Sequence, residues 1–174
     1  MKPRILAITG SLRSDSSNQK IVKKLEELLH PDFTFSYFNG LTNLPYFIPD
    51  QAFENTPEKV RLFREEIQYA DIVLICTPEY IFSIPGVLKN ALEWFVATDI
   101  FNQKPVVLIT ASASGEKGQK ELHLIMKTLG AKFSEESTLL IPGVKGRFNT
   151  DGQLTDPDTI KALQKLSENI RSML

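Results

Sequence analysis

Residues 72–94 read IVLICTPEYIFSIPGVLKNALEW. Their first six residues, Ile72–Thr77, form an almost continuous apolar run, which predicts a strand buried on both faces of a sheet. Residues 85–97 place Leu88, Ala91, Leu92 and Phe95 at helical spacing, which predicts a helix. A buried strand followed by a short loop and a helix is the building unit of a parallel α/β sheet.

The same unit recurs in both directions along the chain. Further strands are predicted at Arg4–Thr9, Thr34–Phe38, Val106–Ala111 and Thr138–Ile141, and further helices at residues 18–29, 57–69 and 118–129 and from Pro157 onward. The Thr34–Phe38 segment alternates in polarity, as an edge strand does. We therefore predict a three-layer α/β/α sandwich whose five-stranded parallel sheet has the flavodoxin-like order 2-1-3-4-5.

Length and composition restrict the function classes. A chain of 174 residues fits a single domain over residues 1–174. Its formal net charge of −1 gives no reason to expect nucleic-acid binding. Cys76 is the only cysteine, which excludes a disulfide framework, and the distant His30 and His123 make a metal site unexpected. No apolar run approaches the ~20 residues of a membrane span, so we expect a cytoplasmic protein without a membrane partner.

The loop after the first strand carries a phosphate-binding pattern. Residues 10–18 read GSLRSDSSN, which supplies hydroxyl groups and Arg13 at the start of a helix. Helix N-termini and hydroxyl donors favour a phosphate group. The single Gly10 excludes the Walker and dinucleotide-binding loops, which need more glycines. A polar turn that only caps the helix is the alternative.

Two more loops leave the carboxyl ends of central strands, where ligands bind in open α/β sheets. Residues 78–84 offer the apolar side chains of Tyr80 and Ile81, on which a flat ring could rest. Residues 112–117 are small and allow a ligand close to the backbone. Simple loop packing and an ordinary β–α turn are the alternatives for each loop alone. The three loops together predict a flat cofactor that bears a phosphate.

At these residues the chain resembles the NAD(P)H-dependent FMN reductases, flavodoxin-like proteins that include quinone, chromate and azo-dye reductases. The motifs that carry the resemblance are GSLRSDSSN at residues 10–18 and PEYIFSIPGVLKNALEW at residues 78–94. The resemblance extends over the whole chain, including FNTDGQLTD at residues 148–156.

The resemblance implies an FMN cofactor with NAD(P)H as co-substrate. It places the FMN phosphate at Ser11, Arg13, Ser16 and Asn18, with Ser17 near it, the flavin ring along Pro78, Glu79, Tyr80 and Ile81, and the ring's pyrimidine side at Ser112, Ser114 and Gly115. It implies no catalytic side chain and no metal. The chain departs from the family at Ile81, where the usual residue is Asn. It also departs at the end of the third loop, which usually has a glycine pair, because Gly118 is followed here by Gln119.

The resemblance also implies an activity. Hydride passes from NAD(P)H to bound FMN, and the electrons then pass to quinone-like or other small acceptors in ping-pong order. A homodimer or homotetramer is implied, with the helix that contains Trp94 and the loop at residues 39–55 as interface elements. A flavodoxin-like electron carrier, or a flavin-binding protein without NAD(P)H activity, is the alternative. Both NADH and NADPH stay open as donors.

Three other residues attract a chemical interpretation, and for each we expect a structural role. Cys76 lies inside an apolar strand, which predicts a buried thiol. Glu79 is expected to have a hydrogen-bonding role in its loop, with a general base as the alternative. His123 is expected to face solvent or a subunit contact.

Overall fold

The computed structural model describes residues 2–174, so Met1 of the predicted domain lies outside the described residues. Its five strands form one parallel sheet in the order β2-β1-β3-β4-β5, as predicted. The strands are β1 (Arg4–Thr9), β2 (Thr34–Phe38), β3 (Ile72–Thr77), β4 (Val106–Ala111) and β5 (Thr138–Ile141). The helices are α1 (Ser17–Leu29), α2 (Pro49–Phe53), α3 (Glu58–Tyr69), α4 (Gly86–Glu93), α5 (Glu116–Thr128) and α6 (Pro157–Arg171). Within the described residues, no helix has the length and apolar character to cross a membrane.

Alternate residues of each central strand point to opposite faces and build two cores. Ile5 and Ala7 of β1 belong to a core with α1 and α6, whereas Leu6 and Ile8 belong to a core with α3, α4 and α5. Strands β3 and β4 are buried along their whole length, which explains their continuous apolar sequence. The site therefore rests on a sheet that is packed from both sides.

The strand predictions agree with the structure to the residue, and the helix boundaries differ. Helix α3 begins at Glu58 with Pro57 as its N-cap, one residue later than the predicted start. Helix α5 begins at Glu116 because Gly115 adopts a left-handed conformation with φ 95° and serves as N-cap. The short α2 was not predicted, since five residues carry too little periodicity.

Helix α4 ends at Glu93 rather than at the predicted Ala97, and Arg64 provides an external partner at its C-cap, Trp94. The Arg64 guanidinium donates to the carbonyl oxygen of Trp94 from Nε at 3.2 Å and from Nη2 at 2.5 Å. Nη2 also donates to the carbonyl oxygen of Ala52 at 3.1 Å, and burial lowers the pKa of Arg64. Arg64 thus joins α2, α3 and α4 by donating hydrogen bonds to carbonyl groups that have no partner within a helix end.

The predicted interface elements contain both buried and exposed side chains. Trp94 is fully buried, and its indole Nε1 donates to the carbonyl oxygen of Pro45 at 3.0 Å. The Phe47 ring packs edge-on against Trp94 with ring centroids 5.3 Å apart. Both side chains therefore belong to the fold of one chain, whereas the helix and the loop that contain them stay predicted interface elements. Tyr46 in the same loop is 88% exposed.

Candidate functional site

A cavity of about 560 Å³ lies at the carboxyl edge of the sheet, within the range of small-molecule sites. The loops after β1, β3, β4 and β5 form its wall. The lining residues are Ser11, Arg13, Asp15, Ser16, Ser17, Asn18, Pro78, Glu79, Tyr80, Ala111, Ser112, Ala113, Gly143, Val144, Lys145 and Gly146. Such an edge is where open α/β sheets bind ligands.

Gly10 lets the first loop cross close over the neighbouring strand. Its backbone N–H donates to the carbonyl oxygen of Cys76 at 2.9 Å. A Cβ at this position would lie 2.3 Å from Thr77 Oγ1, which is shorter than any allowed contact. The residue is therefore needed for close approach, and the loop that follows is held over the end of β3.

Ser16 carries a buried hydroxyl group that faces the cavity. The residue is 3% exposed, and within the described part of the chain its Oγ has no hydrogen-bond partner. A buried polar group without a partner costs about 1–3 kcal/mol. It stands at the N-cap of α1, where backbone N–H groups also point outward. An anionic ligand in the cavity would accept hydrogen bonds from the Ser16 hydroxyl and from these backbone N–H groups.

Asn18 is fixed in orientation by two contacts. Its Nδ2 donates to the carbonyl oxygen of Ala111 at 3.3 Å, and its Oδ1 accepts from the Cys76 thiol at 3.3 Å. Burial raises the pKa of Cys76, so the thiol is neutral, and the prediction of a buried structural cysteine is confirmed. The side chain of Asn18 therefore links the first loop to β3 and β4.

Glu79 connects the second loop to the start of α5. Its Oε2 accepts from the backbone N–H of Gly118 at 2.8 Å, and its carbonyl oxygen accepts from Ser112 Oγ at 3.2 Å. Gly118 is close-packed here, since an added Cβ would lie 3.2 Å from the Cβ of Glu79. The predicted hydrogen-bonding role of Glu79 is confirmed. A carboxylate at this helix N-terminus also interacts favourably with the positive end of the helix dipole.

The second loop contains a tight turn with two left-handed residues. Ile81 has φ 51° and Phe82 has φ 60°, and Tyr80 and Ser83 exchange backbone hydrogen bonds of 2.9 and 3.1 Å around them. Two positive φ values between paired residues define a type I′ turn, which normally takes Asn-Gly. Ile81 is 93% and Phe82 76% exposed. The turn therefore holds two apolar side chains in solvent in a strained conformation.

The structure brings most of the predicted site residues together and separates three from them. Ser11, Arg13, Ser16, Ser17, Asn18, Pro78, Glu79, Tyr80 and Ser112 line the cavity. Ile81, Ser114 and Gly115 lie off its wall: Ile81 points to solvent, Ser114 is exposed, and Gly115 is the buried N-cap of α5. The three belong to the loops that shape the cavity rather than to its surface.

Sequence reasoning missed the wall formed by residues 143–146. This segment follows β5 and is joined to the third loop, because Gly143 N donates to Ala113 O at 3.0 Å and Val144 N donates to Ser112 O at 3.1 Å. The only signal was the length of the loop at residues 142–156 and its glycines. Loop length indicates a functional segment but does not say which residues face a ligand.

His123 is half-buried, and the prediction that it faces solvent or a subunit contact stays a prediction. Nε2 is buried without a partner among the described residues, and the ring lies against Phe133 with centroids 5.3 Å apart. Burial lowers the pKa of His123. Residues 2–174 contain no group of three or more His, Cys, Asp or Glu side chains placed to hold a metal ion.

Comparisons with known proteins agree with this geometry. The profile of the family described as "NADPH-dependent FMN reductase" matches residues 3–145. A 2-hydroxy-1,4-benzoquinone reductase from Burkholderia sp is 32% identical over 170 residues, which cover 94% of this chain and 92% of the relative. An NAD(P)H-dependent FMN reductase from Pseudomonas aeruginosa is 29% identical over 167 residues, covering 93% and 90%. The solved structure of a flavoenzyme NAD(P)H:(acceptor) oxidoreductase from Paracoccus denitrificans superposes with a TM-score of 0.76 at 25% identity, covering 98% of this chain and 96% of that one.

Proposed function

The chain belongs to the NADPH-dependent FMN reductase family, and from this premise we propose that it oxidises NAD(P)H and reduces small quinone-like acceptors. Membership makes it an FMN-dependent oxidoreductase with NAD(P)H as co-substrate. The proposal concerns the acceptor, the order of the two half-reactions and the residues that take part. The observation that carries it is the unpartnered Ser16 hydroxyl in the cavity at the carboxyl edge of the sheet.

The residues of the cavity fit FMN. A phosphate group accepts hydrogen bonds, and the first loop offers the Ser16 hydroxyl, the hydroxyl of Ser11 and the guanidinium of Arg13. The far wall offers Pro78 and Tyr80, which suit a flat ring. We propose that these residues hold the two ends of the cofactor, together with Ser17, Asn18 and Ser112.

FMN, when bound, supplies hydride and electron transfer at its flavin ring. The chain's own part is to bind and orient. The Glu79 carboxylate joins the second loop to α5 through Gly118 N, and its carbonyl oxygen accepts from the Ser112 hydroxyl. These bonds fix the distance between the second and third loops, which form two walls of the cavity. Preorganised walls of this kind lower the cost of reorganisation during a reaction.

We extend the proposal to the order of reaction and to assembly. NAD(P)H and the acceptor would use the same part of the cavity in turn, which produces ping-pong kinetics. Pro45 and Phe47, on either side of the exposed Tyr46, are hydrogen-bonded to Asn90 of α4, and we propose this surface as a contact in a homodimer or homotetramer. Exposed aromatic side chains are enriched at such contacts.

The test is a spectrum of the full chain with FMN, followed by NADH or NADPH under nitrogen and then by a benzoquinone. We expect flavin absorbance that bleaches with the nicotinamide and returns with the quinone. Ser16→Ala with added FMN is the matched variant, since it removes the hydroxyl on which the proposal rests.

The outcomes separate the alternatives. Parallel lines in double-reciprocal plots of rate against quinone concentration at several NAD(P)H concentrations support the ping-pong order. Bound flavin that never bleaches would support the electron-carrier or flavin-binding alternative, and absence of flavin binding would refute the assigned site.

A further inference from the structure

Two cavity-lining cations stand without a carboxylate partner. Within residues 2–174, neither Arg13 nor Lys145 takes part in an ion pair. The cavity's nearby acid, Asp15, is already paired with Lys20 at 2.6 Å, and the hydrogen bond and charge of Lys20 lower the pKa of Asp15. The positive charges of Arg13 and Lys145 are therefore available to a ligand.

The two cations belong to the same half of the cavity. Val144, next to Lys145, packs in the core cluster that also contains Ile21 and Val22 of α1. The loop after β5 approaches α1 directly where Lys20 Nζ lies 5.7 Å from the centre of the Phe148 ring. The segment of Lys145 thus packs on the same face of the sheet as α1, whose N-cap is Ser16. Glu79 lies on the other side, because its loop leads to α4, which packs on the opposite face of the sheet.

The position of Lys145 is fixed by the backbone. The bonds from Gly143 N to Ala113 O and from Val144 N to Ser112 O attach its segment to the loop after β4. Gly143 has φ 61°, which turns the chain out of β5 and toward the cavity. The backbone of Lys145 therefore belongs to a segment that hydrogen bonds hold in place, although its side chain is exposed.

Charge balance identifies the ligand group. A phosphate monoester carries about two negative charges at neutral pH. The family motif of the first loop supplies one cation, Arg13, and the Ser16 hydroxyl adds a hydrogen-bond donor without charge. We propose that Lys145 is the second cation of the FMN phosphate site and that it determines the preference of the apoprotein for FMN over riboflavin. This inference rests on the proposed placement of FMN in the cavity.

The test measures the binding of flavins to the full chain after its own flavin has been removed. Binding is monitored through the quenching of flavin fluorescence. Lys145→Gln is expected to raise the Kd of FMN about tenfold, since solvent screens part of the attraction of an exposed charge. Riboflavin, which lacks the phosphate, is expected to bind Lys145→Gln and wild type equally. Lys145→Arg keeps the charge and is expected to restore FMN binding to within about threefold of wild type.

A matched control separates this site from the field of the whole protein. Lys161 is an exposed lysine of α6 outside the cavity lining, and Lys161→Gln is expected to leave both Kd values unchanged. Added salt is expected to weaken FMN binding more in wild type than in Lys145→Gln, because the variant has lost one of the screened contacts.

Each contrary result has a distinct meaning. An unchanged FMN Kd in Lys145→Gln, or an equal loss of FMN and riboflavin binding, would overturn the inference while leaving the proposed function intact. An unchanged FMN Kd with a raised KM for NADPH or NADH would overturn it by assigning Lys145 to a nucleotide phosphate. Wild type that binds no FMN would overturn the proposed site and the inference together.

Discussion

Replacement of Ile81 by Asn is expected to stabilise the protein. Ile81 is 93% exposed and has φ 51°, so its side chain gains almost nothing from burial while its backbone is strained. A left-handed conformation costs an ordinary L-residue roughly 1–2 kcal/mol, and a β-branched residue is particularly disfavoured there. Asn tolerates this region and is favoured at the first central position of a type I′ turn.

The magnitude follows from these terms. The loss of burial is close to zero at this exposure, so the relief of strain determines the sign, and we expect a gain of about 1 kcal/mol in the free energy of unfolding. In a chain of this length such a gain corresponds to roughly 2–4 °C in the melting temperature. Ile81→Val keeps both the branched side chain and the strain, and it is expected to melt with the wild type.

The assay is thermal unfolding of the flavin-free protein by circular dichroism, because bound cofactor would raise the melting temperature by mass action. Phe82→Gly, at the second central position with φ 60°, is expected to give an independent gain. A melting temperature of Ile81→Asn equal to or below that of Ile81→Val would refute the reasoning. It would mean that Ile81 is stabilised by contacts that its exposure does not reveal.

Four further changes test other features. Ser16→Ala is expected to raise the stability of the flavin-free protein by about 1 kcal/mol, since it removes an unpartnered buried hydroxyl, and to weaken FMN binding roughly tenfold; melting and fluorescence titration measure the two opposite effects. Gly10→Ala is expected to cost roughly 1–3 kcal/mol in urea unfolding, because its Cβ would lie 2.3 Å from Thr77 Oγ1. Arg64→Ala is expected to cost roughly 2–3 kcal/mol by leaving helix-end carbonyl groups unfilled, and an unfolding midpoint equal to wild type would contradict the role assigned to the guanidinium. Burial lowers the pKa of His123 below 6.5, so the folded state disfavours its protonation and stability should fall as pH drops from 6.5 through the lowered value; His123→Gln should reduce that slope in urea unfolding at a series of pH values.

Four of the five strands could be predicted to the residue because each is a short, mostly apolar run bounded by proline or polar residues. Ile72–Thr77 is enclosed by Asp71 and Pro78, and Val106–Ala111 by Pro105 and Ser112. Burial on both faces leaves few polar residues inside such a strand, and Thr77 and Thr110 are the exceptions in these two. The sheet order then follows from the flavodoxin-like pattern of alternating strands and helices.

Helix ends and the far wall of the cavity could not be predicted in the same way. The end of α4 depends on Arg64, which is 30 residues away from Trp94 in sequence. The placement of residues 143–146 depends on backbone bonds to Ala113 and Ser112. Contacts of this kind are set by tertiary packing, which local periodicity does not encode.

The assignment of individual residues to FMN stays a prediction. The first loop was identified from hydroxyl groups and one arginine at a helix start, and the structure places that loop on the cavity wall. The resemblance places the flavin ring along Ile81, yet a type I′ turn carries this residue away from the wall. A motif gives the path of a loop, while the turn inside it decides which side chain faces a ligand.

The cavity wall is assembled from four β–α connections that extend from Ser11 to Gly146. A growing chain therefore has no complete binding site until β5 and the segment after it have been synthesised and have joined the sheet. Any ligand that binds the complete cavity stabilises only the finished fold, by an amount that grows with its concentration relative to Kd. The supply of flavin in the cell would then act on the lifetime of the protein as well as on its chemistry.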